Sequence, residues 1–328
     1  MLVAQVSKFG RPDEVIELVE RPEPGKPEPG EVLVQTELFP VNPADLVNLE
    51  GSYGATPPAL PMTPGAEGVG RVVQVGAGVT HLAPGDRVLL TGPGTWRERA
   101  IAKASAMFAL PAGIDPKQLA MLRVNPATAH LMLRTIVALQ PGQWVLQNAA
   151  NSGVGHLLIE LAREMGVKTI NVVRRPELIE PLRARGADVV LVDGADLDAR
   201  VREAIGGGAL PLAIDAIGGT ATQRLARAVD DGGTVVVYGL LSGEPSQIDG
   251  RELIFRDVRV QGFWLRSYYM TTAPSEIGAL YRELATKLGE GRLAVEVERV
   301  YPLADLKAAV AHAARTARSG KILVSCEV

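Results

Sequence analysis

The sequence predicts an α/β protein in which a doubly wound parallel sheet is inserted into a β-rich domain. Three observations predict this arrangement. Residues 1 to about 110 form short strand-like segments separated by Pro and Gly, whereas from about residue 115 short apolar runs alternate with segments of helical period. A helix–strand–helix–strand tail follows Trp264 and is too small for a core of its own, so it should return to the β-rich domain.

The bulk composition is that of a globular chain. The 328 residues exceed what one core usually supports, so two domains are expected. Hydrophobic residues make up 47% and charged residues 22%, which is too apolar for a disordered chain. The formal net charge of −3, without long runs of like charge, argues against nucleic acid or membrane partners. The N-terminus lacks the pattern of a signal peptide, so a cytoplasmic protein is expected.

The β-rich half contains alternating segments that predict strands at 1–6, 31–36, 70–76 and 86–90. Turn signals such as Pro29-Gly30 and Pro84-Gly85-Asp86 separate them. This spacing favours an antiparallel barrel or sandwich.

The second half contains continuous apolar runs that predict buried strands. They lie at residues 144–148, 169–173, 189–192, 210–214, 234–238 and 258–262. Amphipathic stretches begin near Val154, Pro176 and Ala195, between the first four runs. Apolar strands joined by helices indicate a parallel sheet covered on both faces, and six strands fit a doubly wound dinucleotide fold.

The tail predicts a helix at 274–289, a strand at 295–300, a helix at 303–318 and a strand at 321–325. Because the tail should return to the first half, we expect two domains, of which the second is inserted into the first. The expected boundaries give one domain of residues 1–120 with 265–328, and an inserted domain of residues 121–264.

A glycine turn follows the first strand of the inserted domain. With Gly155 as the last glycine of the G-x-G-x-x-G pattern, Ala150 and Ser152 stand at the first two positions. The strand before the turn and the helix after it favour a pyrophosphate site, in which backbone N–H groups and the helix N-terminus hold the anion. A tight βα turn without a chemical role is the alternative.

Two arginines follow the second strand of the inserted domain. The residue at this position selects between NADH and NADPH, because an acidic side chain there favours the free ribose 2′-hydroxyl of NADH. This sequence has Arg174 and Arg175 there instead. A guanidinium suits a 2′-phosphate, so NADPH is the expected cofactor. The alternative is a pair of solvated arginines at the start of a helix, where they would oppose the helix dipole.

The layout resembles the medium-chain dehydrogenase/reductase superfamily, and six segments are similar to its trans-2-enoyl thioester reductases. These segments are QNAANSGVG (147–155), TINVVR (169–174), GFWL (262–265), VNPAD (41–45) with GSYG (51–54), and VNPATA (124–129). The NPxD and GxY segments also resemble quinone oxidoreductases of the zeta-crystallin type. The resemblance implies a GroES-like domain carrying an inserted Rossmann domain, and a homodimer.

The resemblance also implies the roles of individual residues. Tyr53, in the Gly-x-Tyr segment, would be the proton donor. The substrate pocket would contain Asn42, Tyr53 and Trp264. The cofactor would be bound by Asn125, Asn151, Ser152, Gly153, Val154, Arg174, Arg175, Tyr238, Gly239, Leu240, Leu241, Phe263, Trp264, Leu265 and Lys321.

No metal is expected. Zinc members of the superfamily use a Cys and a His at the positions of Asn42 and Ala66, neither of which can replace a thiolate or imidazole. The single cysteine, Cys326, lies elsewhere, and the four histidines show no metal spacing.

Three functions are consistent with the sequence. The leading hypothesis is NADPH-dependent reduction of a trans-2-enoyl thioester linked to CoA or to an acyl carrier protein, and a quinone or enone reductase on the same scaffold is the nearest alternative. A non-catalytic NADPH-binding module is an alternative from another class.

Overall fold

The computed structural model describes residues 1–54, 59–316 and 318–327. It divides into two units, Met1–Val124 with Pro274–Val328 and Asn125–Ala273. The unit boundaries therefore follow residues 124 and 273, rather than residues 120 and 264 as the sequence predicted. The segment 265–273, which contains the first helix after Trp264, groups with the inserted unit.

Strands and α-helices are numbered in chain order. The strands of the described residues are β1 (Leu2–Val6), β2 (Ile16–Glu20), β3 (Glu31–Pro40), β4 (Glu67–Val75), β5 (Arg87–Thr91), β6 (Arg99–Lys103), β7 (Phe108–Ala109), β8 (Trp144–Gln147), β9 (Lys168–Val173), β10 (Val189–Val192), β11 (Leu212–Asp215), β12 (Thr234–Val237), β13 (Arg259–Gly262), β14 (Val297–Pro302) and β15 (Lys321–Ser325). The helices are α1 (Pro12–Val15), α2 (Pro43–Leu49), α3 (Pro116–Leu119), α4 (Asn125–Thr135), α5 (Gly153–Glu164), α6 (Ile179–Ala184), α7 (Leu197–Ile205), α8 (Thr220–Ala228), α9 (Gly250–Phe255), α10 (Leu265–Thr271), α11 (Pro274–Gly289) and α12 (Leu306–Ala313).

The first unit is built on a seven-stranded sheet. Its order is β14-β15-β3-β4-β5-β7, with β6 also paired to β3. All pairs are antiparallel except β14 with β15. On one side of the sheet, Val32 and Val34 of β3 are buried against Val72 and Val88. Burying each such side chain contributes about 1.5–3 kcal/mol, so the alternation in β3 fixes which face of the strand is inside.

The C-terminal tail completes this sheet. Strand β15 pairs antiparallel with β3, with Val324 opposite Phe39. The Phe39 and Trp96 rings stack with centroids 5.3 Å apart and pack in the same core as Ile322 and Val324. The tail thus belongs to the first unit, as its small size predicted.

The second unit contains one parallel sheet of six strands in the order β10-β9-β8-β11-β12-β13. This is the doubly wound order, in which the chain adds β9 and β10 on one side of β8 and then adds β11, β12 and β13 on the other side. Each of the six apolar runs predicted from the sequence forms one of these strands. Strands β8 and β11 are buried along their whole length, because helices cover both faces of the sheet.

The structure differs from the predicted elements mainly in its helices. Helix α4 was not predicted, because most of its residues are buried and it therefore lacks the one-sided apolar period of a surface helix. The segment after Pro176 begins as a 3-10 turn and becomes α-helical at Ile179. The last helix ends at Ala313, earlier than the predicted 318.

None of the helices in the described parts of the chain is both long enough and apolar enough to span a bilayer.

Candidate functional site

The turn between β8 and α5 exposes backbone amides. Ser152 is the N-cap of α5, and its Oγ accepts the Gly155 amide at 3.1 Å. A helix cannot satisfy the N–H groups of its own first turn, so those of Gly153 and Val154 have no acceptor inside α5. Asn151, Ser152 and Gly153 are half-buried. This arrangement of amides at a positive helix end is suited to an anion such as a pyrophosphate.

The geometry of this turn explains the two missing glycines. The left-handed residue is Ala149, with φ of 48°, and not Ala150. A left-handed alanine costs roughly 1–2 kcal/mol, which the buried strand and helix on either side can offset. Gly155 is indispensable, because an added Cβ would lie 2.4 Å from the Ala150 carbonyl oxygen. The turn therefore needs a glycine for the close approach of α5 to β8.

A buried polar network fixes the ends of β8 and β11 below the turn. Asn148 donates from Nδ2 to Asp215 at 2.6 Å and accepts the Ala216 amide at 2.7 Å. The other Asp215 oxygen accepts the Thr222 hydroxyl at 2.6 Å. Asp215 and Thr222 were not predicted as site residues, although an acid directly after the apolar run 212–214 was the available signal. The network holds the edge of the sheet where the strand order reverses.

A cavity of about 540 Å³ opens at the ends of β12 and β13. It is lined by Val237, Tyr238, Gly239, Leu240, Gly262, Phe263, Trp264, Ser267 and Tyr268. Its volume lies within the range of small-molecule sites. The structure thus groups five of the predicted residues around one cavity, whereas Leu241 and Leu265 do not line it.

Tyr238 connects this cavity to the glycine turn. Its hydroxyl is hydrogen-bonded to Ser152, and burial raises the pKa of Tyr238 to about 12. The phenol is therefore neutral at physiological pH and can act as a hydrogen-bond donor or acceptor, not as a charge. At the next residue, a Cβ on Gly239 would lie 2.7 Å from the Ala216 carbonyl oxygen, so only glycine fits there.

The two arginines after β9 differ in their surroundings. Both are exposed. Arg175 lies 3.6 Å from the Glu177 carboxylate. Arg174 has no ion-pair or hydrogen-bond partner within the described ranges. A guanidinium without an internal partner can bind a phosphate without first breaking an ion pair.

Asn125 carries an unpaired polar atom. It begins α4, its exposed fraction is 4%, and its Nδ2 has no hydrogen-bond partner among the residues that the structure describes. A buried donor without an acceptor costs about 1–3 kcal/mol. Such an atom fits a site that is completed by a bound ligand.

Tyr53 lies in the first unit, in the loop that follows α2. The loop is bound to the last turn of that helix, because the Ser52 amide donates to the Val47 carbonyl at 3.1 Å. Gly51 lies directly against the Phe9 ring, which a Cβ would approach within 2.6 Å. Tyr53 itself is half-buried. Residues 55–58 lie outside the described part of the chain.

Asn42 lies in a buried polar cluster of the first unit, which consists of Asn42, Asp45, Glu67 and Lys321. The Asn42 Nδ2 donates to Glu67 at 2.7 Å, and its Oδ1 accepts the Lys321 ammonium at 2.5 Å. The Asn42 backbone N–H donates to Asp45 at 2.8 Å. All four residues are buried, with exposed fractions between 1% and 7%. The structure thus brings Lys321 next to Asn42, although the resemblance had suggested that Lys321 binds the cofactor.

Burial controls the protonation of this cluster. It raises the pKa of Asp45 to about 7 and also raises the pKa of Glu67, because an ionised carboxylate loses its hydration there. The same burial lowers the pKa of Lys321 to about 8. Asp45 and Glu67 were not predicted as site residues. The only available signal was the Asn-x-x-Asp spacing of a helix N-cap in residues 42–45.

The residues at the position of the superfamily's zinc do not fit a metal ion. The Asn42 side chain is hydrogen-bonded to Glu67 and Lys321. The Ala66 carbonyl accepts a hydrogen bond from the Arg123 guanidinium at 3.0 Å. A buried ammonium at this place would also repel a dication. Across residues 1–54, 59–316 and 318–327, no group of three or more His, Cys, Asp or Glu side chains is arranged to hold a metal.

Comparison with known proteins identifies the family of both units. Residues 28–112 match the alcohol dehydrogenase GroES-like domain, and residues 153–284 match the family described as zinc-binding dehydrogenase. The mitochondrial enoyl-(acyl-carrier-protein) reductase of Rattus norvegicus is 38% identical over 290 residues, which are 86% of this chain and 78% of the relative.

Solved structures agree over the whole chain. The quinone oxidoreductase of Escherichia coli, complexed with NADPH, is 27% identical with a TM-score of 0.89, covering 99% of this chain and 100% of its own. A complex of a mitochondrial 2-enoyl thioester reductase of Candida tropicalis with NADP and crotonyl-CoA is 26% identical with a TM-score of 0.87, covering 99% of each chain. The chain therefore belongs to the medium-chain dehydrogenase/reductase superfamily, close to its enoyl-(acyl-carrier-protein) reductases and quinone oxidoreductases.

Proposed function

We propose that the protein catalyses the NADPH-dependent reduction of the C=C bond of a trans-2-enoyl thioester. The observation that carries this proposal is the 38% identity to a mitochondrial enoyl-(acyl-carrier-protein) reductase over 86% of the chain. The cavity at the ends of β12 and β13 supports it, because Phe263 and Trp264 offer apolar surface to an acyl chain.

The cofactor is proposed to bind to the second unit. The Gly153 and Val154 amides and the N-terminus of α5 would hold the pyrophosphate, and Arg174 would bind the 2′-phosphate. The Asn125 Nδ2 would find its missing acceptor on the cofactor. The preference for NADPH over NADH is supported by the unpaired guanidinium of Arg174 and by the NADPH bound to the similar E. coli quinone oxidoreductase.

The chemistry requires a hydride at the β-carbon and a proton at the α-carbon. When bound, NADPH supplies the hydride. The thioester carbonyl then carries developing enolate charge, which hydrogen-bond donors stabilise. The Tyr53 hydroxyl is proposed to deliver the proton to the α-carbon, and general acid catalysis of this kind contributes about 10²–10⁴-fold. No zinc takes part in this proposal, since Asn42 and Ala66 cannot ligate it.

The experiment that tests this function gives the purified protein NADPH and crotonyl-CoA. The oxidation of NADPH is measured as the loss of its absorbance. We expect turnover that depends on both substrates and yields butyryl-CoA. A protein that binds NADPH but shows no turnover with crotonyl-CoA or a longer enoyl-CoA would contradict the proposal.

Quinone reduction is the second candidate function, favoured by the TM-score of 0.89 to the E. coli quinone oxidoreductase. A parallel assay with para-benzoquinone separates the two. The proposed function predicts a higher kcat/KM for crotonyl-CoA, and the reverse ratio would assign the protein to quinones. NADPH binding without turnover of any enone, quinone or enoyl thioester would instead indicate a binding module.

A homodimer through β13 is proposed as the assembly. Strand β13 is at the edge of the six-stranded sheet, and all four of its residues are exposed. The neighbouring helix α9 exposes Ile254 and Phe255, at 73% and 77%. An uncovered edge strand beside large apolar side chains favours pairing with a second copy. Light scattering coupled to size exclusion would give twice the chain mass, and a monomer at micromolar concentration would contradict the proposal.

A further inference from the structure

The buried cluster around Lys321 combines three ionisable side chains with one amide. Lys321 begins β15, Glu67 begins β4, and Asn42 and Asp45 lie at the start of α2. Burying an ion costs several kcal/mol unless it is paired and hydrogen-bonded. A cluster of this kind needs its partners in place, since removing one leaves another charged and uncompensated.

The Asn42 side chain joins the two oppositely charged groups. Its amide nitrogen donates to the Glu67 carboxylate at 2.7 Å, while its amide oxygen accepts the Lys321 ammonium at 2.5 Å. The orientation of the amide is therefore fixed by a donor on one side and an acceptor on the other. The second Glu67 oxygen accepts the Val124 amide at 2.8 Å, which anchors the carboxylate in turn.

Helix α2 links this cluster to Tyr53. Asn42 is the N-cap of α2, and its backbone N–H is bound by Asp45 in the first turn. The loop after α2 is bonded to its last turn through Ser52 and Val47. A seven-residue helix is only about 10 Å long, so a shift at its N-cap is transmitted to the loop at its other end.

We propose that Lys321 is a positioning residue, whose ammonium compensates the buried Glu67 carboxylate, fixes Asn42 and thereby holds α2 and the loop that carries Tyr53. The role as a positioning residue rests on the proposed function of Tyr53. It differs from the cofactor contact that the resemblance implied for Lys321, because the ammonium is already engaged inside the first unit.

The experiment compares Lys321→Met, Glu67→Gln and the double variant, with Lys103→Met as the control at an exposed lysine of the same unit. We expect Lys321→Met to lower kcat about 10-fold or more, to leave the NADPH Kd within about twofold of wild type, and to speed amide hydrogen exchange in α2. Because the double variant removes the ammonium together with the Glu67 carboxylate that it compensates, the factor by which it lowers kcat should be about 10-fold smaller than the product of the two single factors. The control should match wild type.

A Tyr53→Phe background tests whether Lys321 acts through Tyr53. In that background Lys321→Met should lower kcat no further, since the group that it positions is absent. Additive losses would contradict the proposal, as would an NADPH Kd raised about 10-fold with unchanged exchange in α2. A double Lys321→Met, Glu67→Gln variant that fails to fold would also contradict it, because the two charges would then not compensate each other.

These outcomes are distinct from failure of the proposed function. A wild-type protein inert toward enoyl thioesters would remove the reaction and the role of Tyr53, and with them the positioning role of Lys321. The NADPH Kd and the exchange of α2 in the same variants would still measure whether Lys321 supports α2 or the cofactor.

Discussion

Gly155→Ala is the sharpest test of how the glycine turn works. The new methyl group would lie 2.4 Å from the carbonyl oxygen of Ala150, 2.7 Å from its carbonyl carbon and 2.8 Å from its Cα. Ordinary contact begins at 3.4 Å, so the backbone of the turn and the start of α5 would have to separate by about 1 Å. All three obstructing atoms are backbone, and no flexible side chain can move aside instead.

The expected loss follows from this displacement. Overfilling a well-packed site typically costs about 1–3 kcal/mol, and each kcal/mol lowers the Tm of a domain of this size by about 2–4 °C. The amides of Gly153 and Val154 move with the start of α5. Each hydrogen bond from such an amide to a charged phosphate contributes roughly 1.5–3 kcal/mol, so losing one should raise the NADPH Kd by about 10-fold or more.

Fluorescence titration with NADPH and a thermal melt would measure both effects. Gly250→Ala is the matched control, because Gly250 belongs to the same unit, has nothing within 4 Å of an added Cβ and does not have a left-handed φ. A Gly155→Ala protein with the Tm and NADPH Kd of wild type would refute the account of the turn, and so would equal losses in the control.

Three further predictions concern catalysis, cofactor choice and pH. Tyr53→Phe should lower kcat by about 10²–10⁴-fold with an unchanged NADPH Kd, and near-wild-type turnover would remove Tyr53 from the mechanism. Arg174→Ala with Arg175→Ala should raise the KM for NADPH about 10-fold or more relative to that for NADH, whereas an unchanged ratio would mean that the 2′-phosphate is bound elsewhere. The pKa of Asp45 is about 7 in the folded chain, whereas its ordinary value is 3.8. Between these two pH values the folded chain therefore keeps a proton on Asp45 that the unfolded chain has released. Stability should therefore fall as pH rises through this window, and Asp45 contributes at most about 1.4 kcal/mol per pH unit to the slope. Asp45→Asn, which keeps an oxygen for the Asn42 amide, should reduce the slope in melts at a series of pH values, while the raised pKa of Glu67 leaves a remainder of the same sign.

The sequence predicted the second unit well because its strands are buried on both faces. Such strands appear as continuous apolar runs, and the helices between them retain one polar face. Helix α4 escaped prediction because it is buried on nearly all sides, and α2 because its seven residues are too few to establish a period. The register between β15 and β3, which joins residues far apart in the chain, cannot be read from either segment alone.

The candidate site was predictable where it depends on local backbone chemistry. The glycine turn and the arginines after β9 are each contained in a few consecutive residues. The cluster of Asn42, Glu67 and Lys321 is different, because an isolated Glu or Lys in a sequence usually indicates a solvated surface. Only the folded chain brings Lys321 to Asn42, and only then do buried charges with shifted pKa values become visible.

In the proposed reaction, hydride from NADPH reaches the β-carbon of an enoyl thioester while the α-carbon receives a proton. The most direct measurement uses NADPH deuterated at both C4 positions of the nicotinamide ring, with crotonyl-CoA in ordinary water, and locates the deuterium in the product by NMR. The proposed reaction yields butyryl-CoA with one deuterium at the β-carbon and none at the α-carbon. Consumption of NADPH without deuterated butyryl-CoA, or deuterium at the α-carbon, would contradict it.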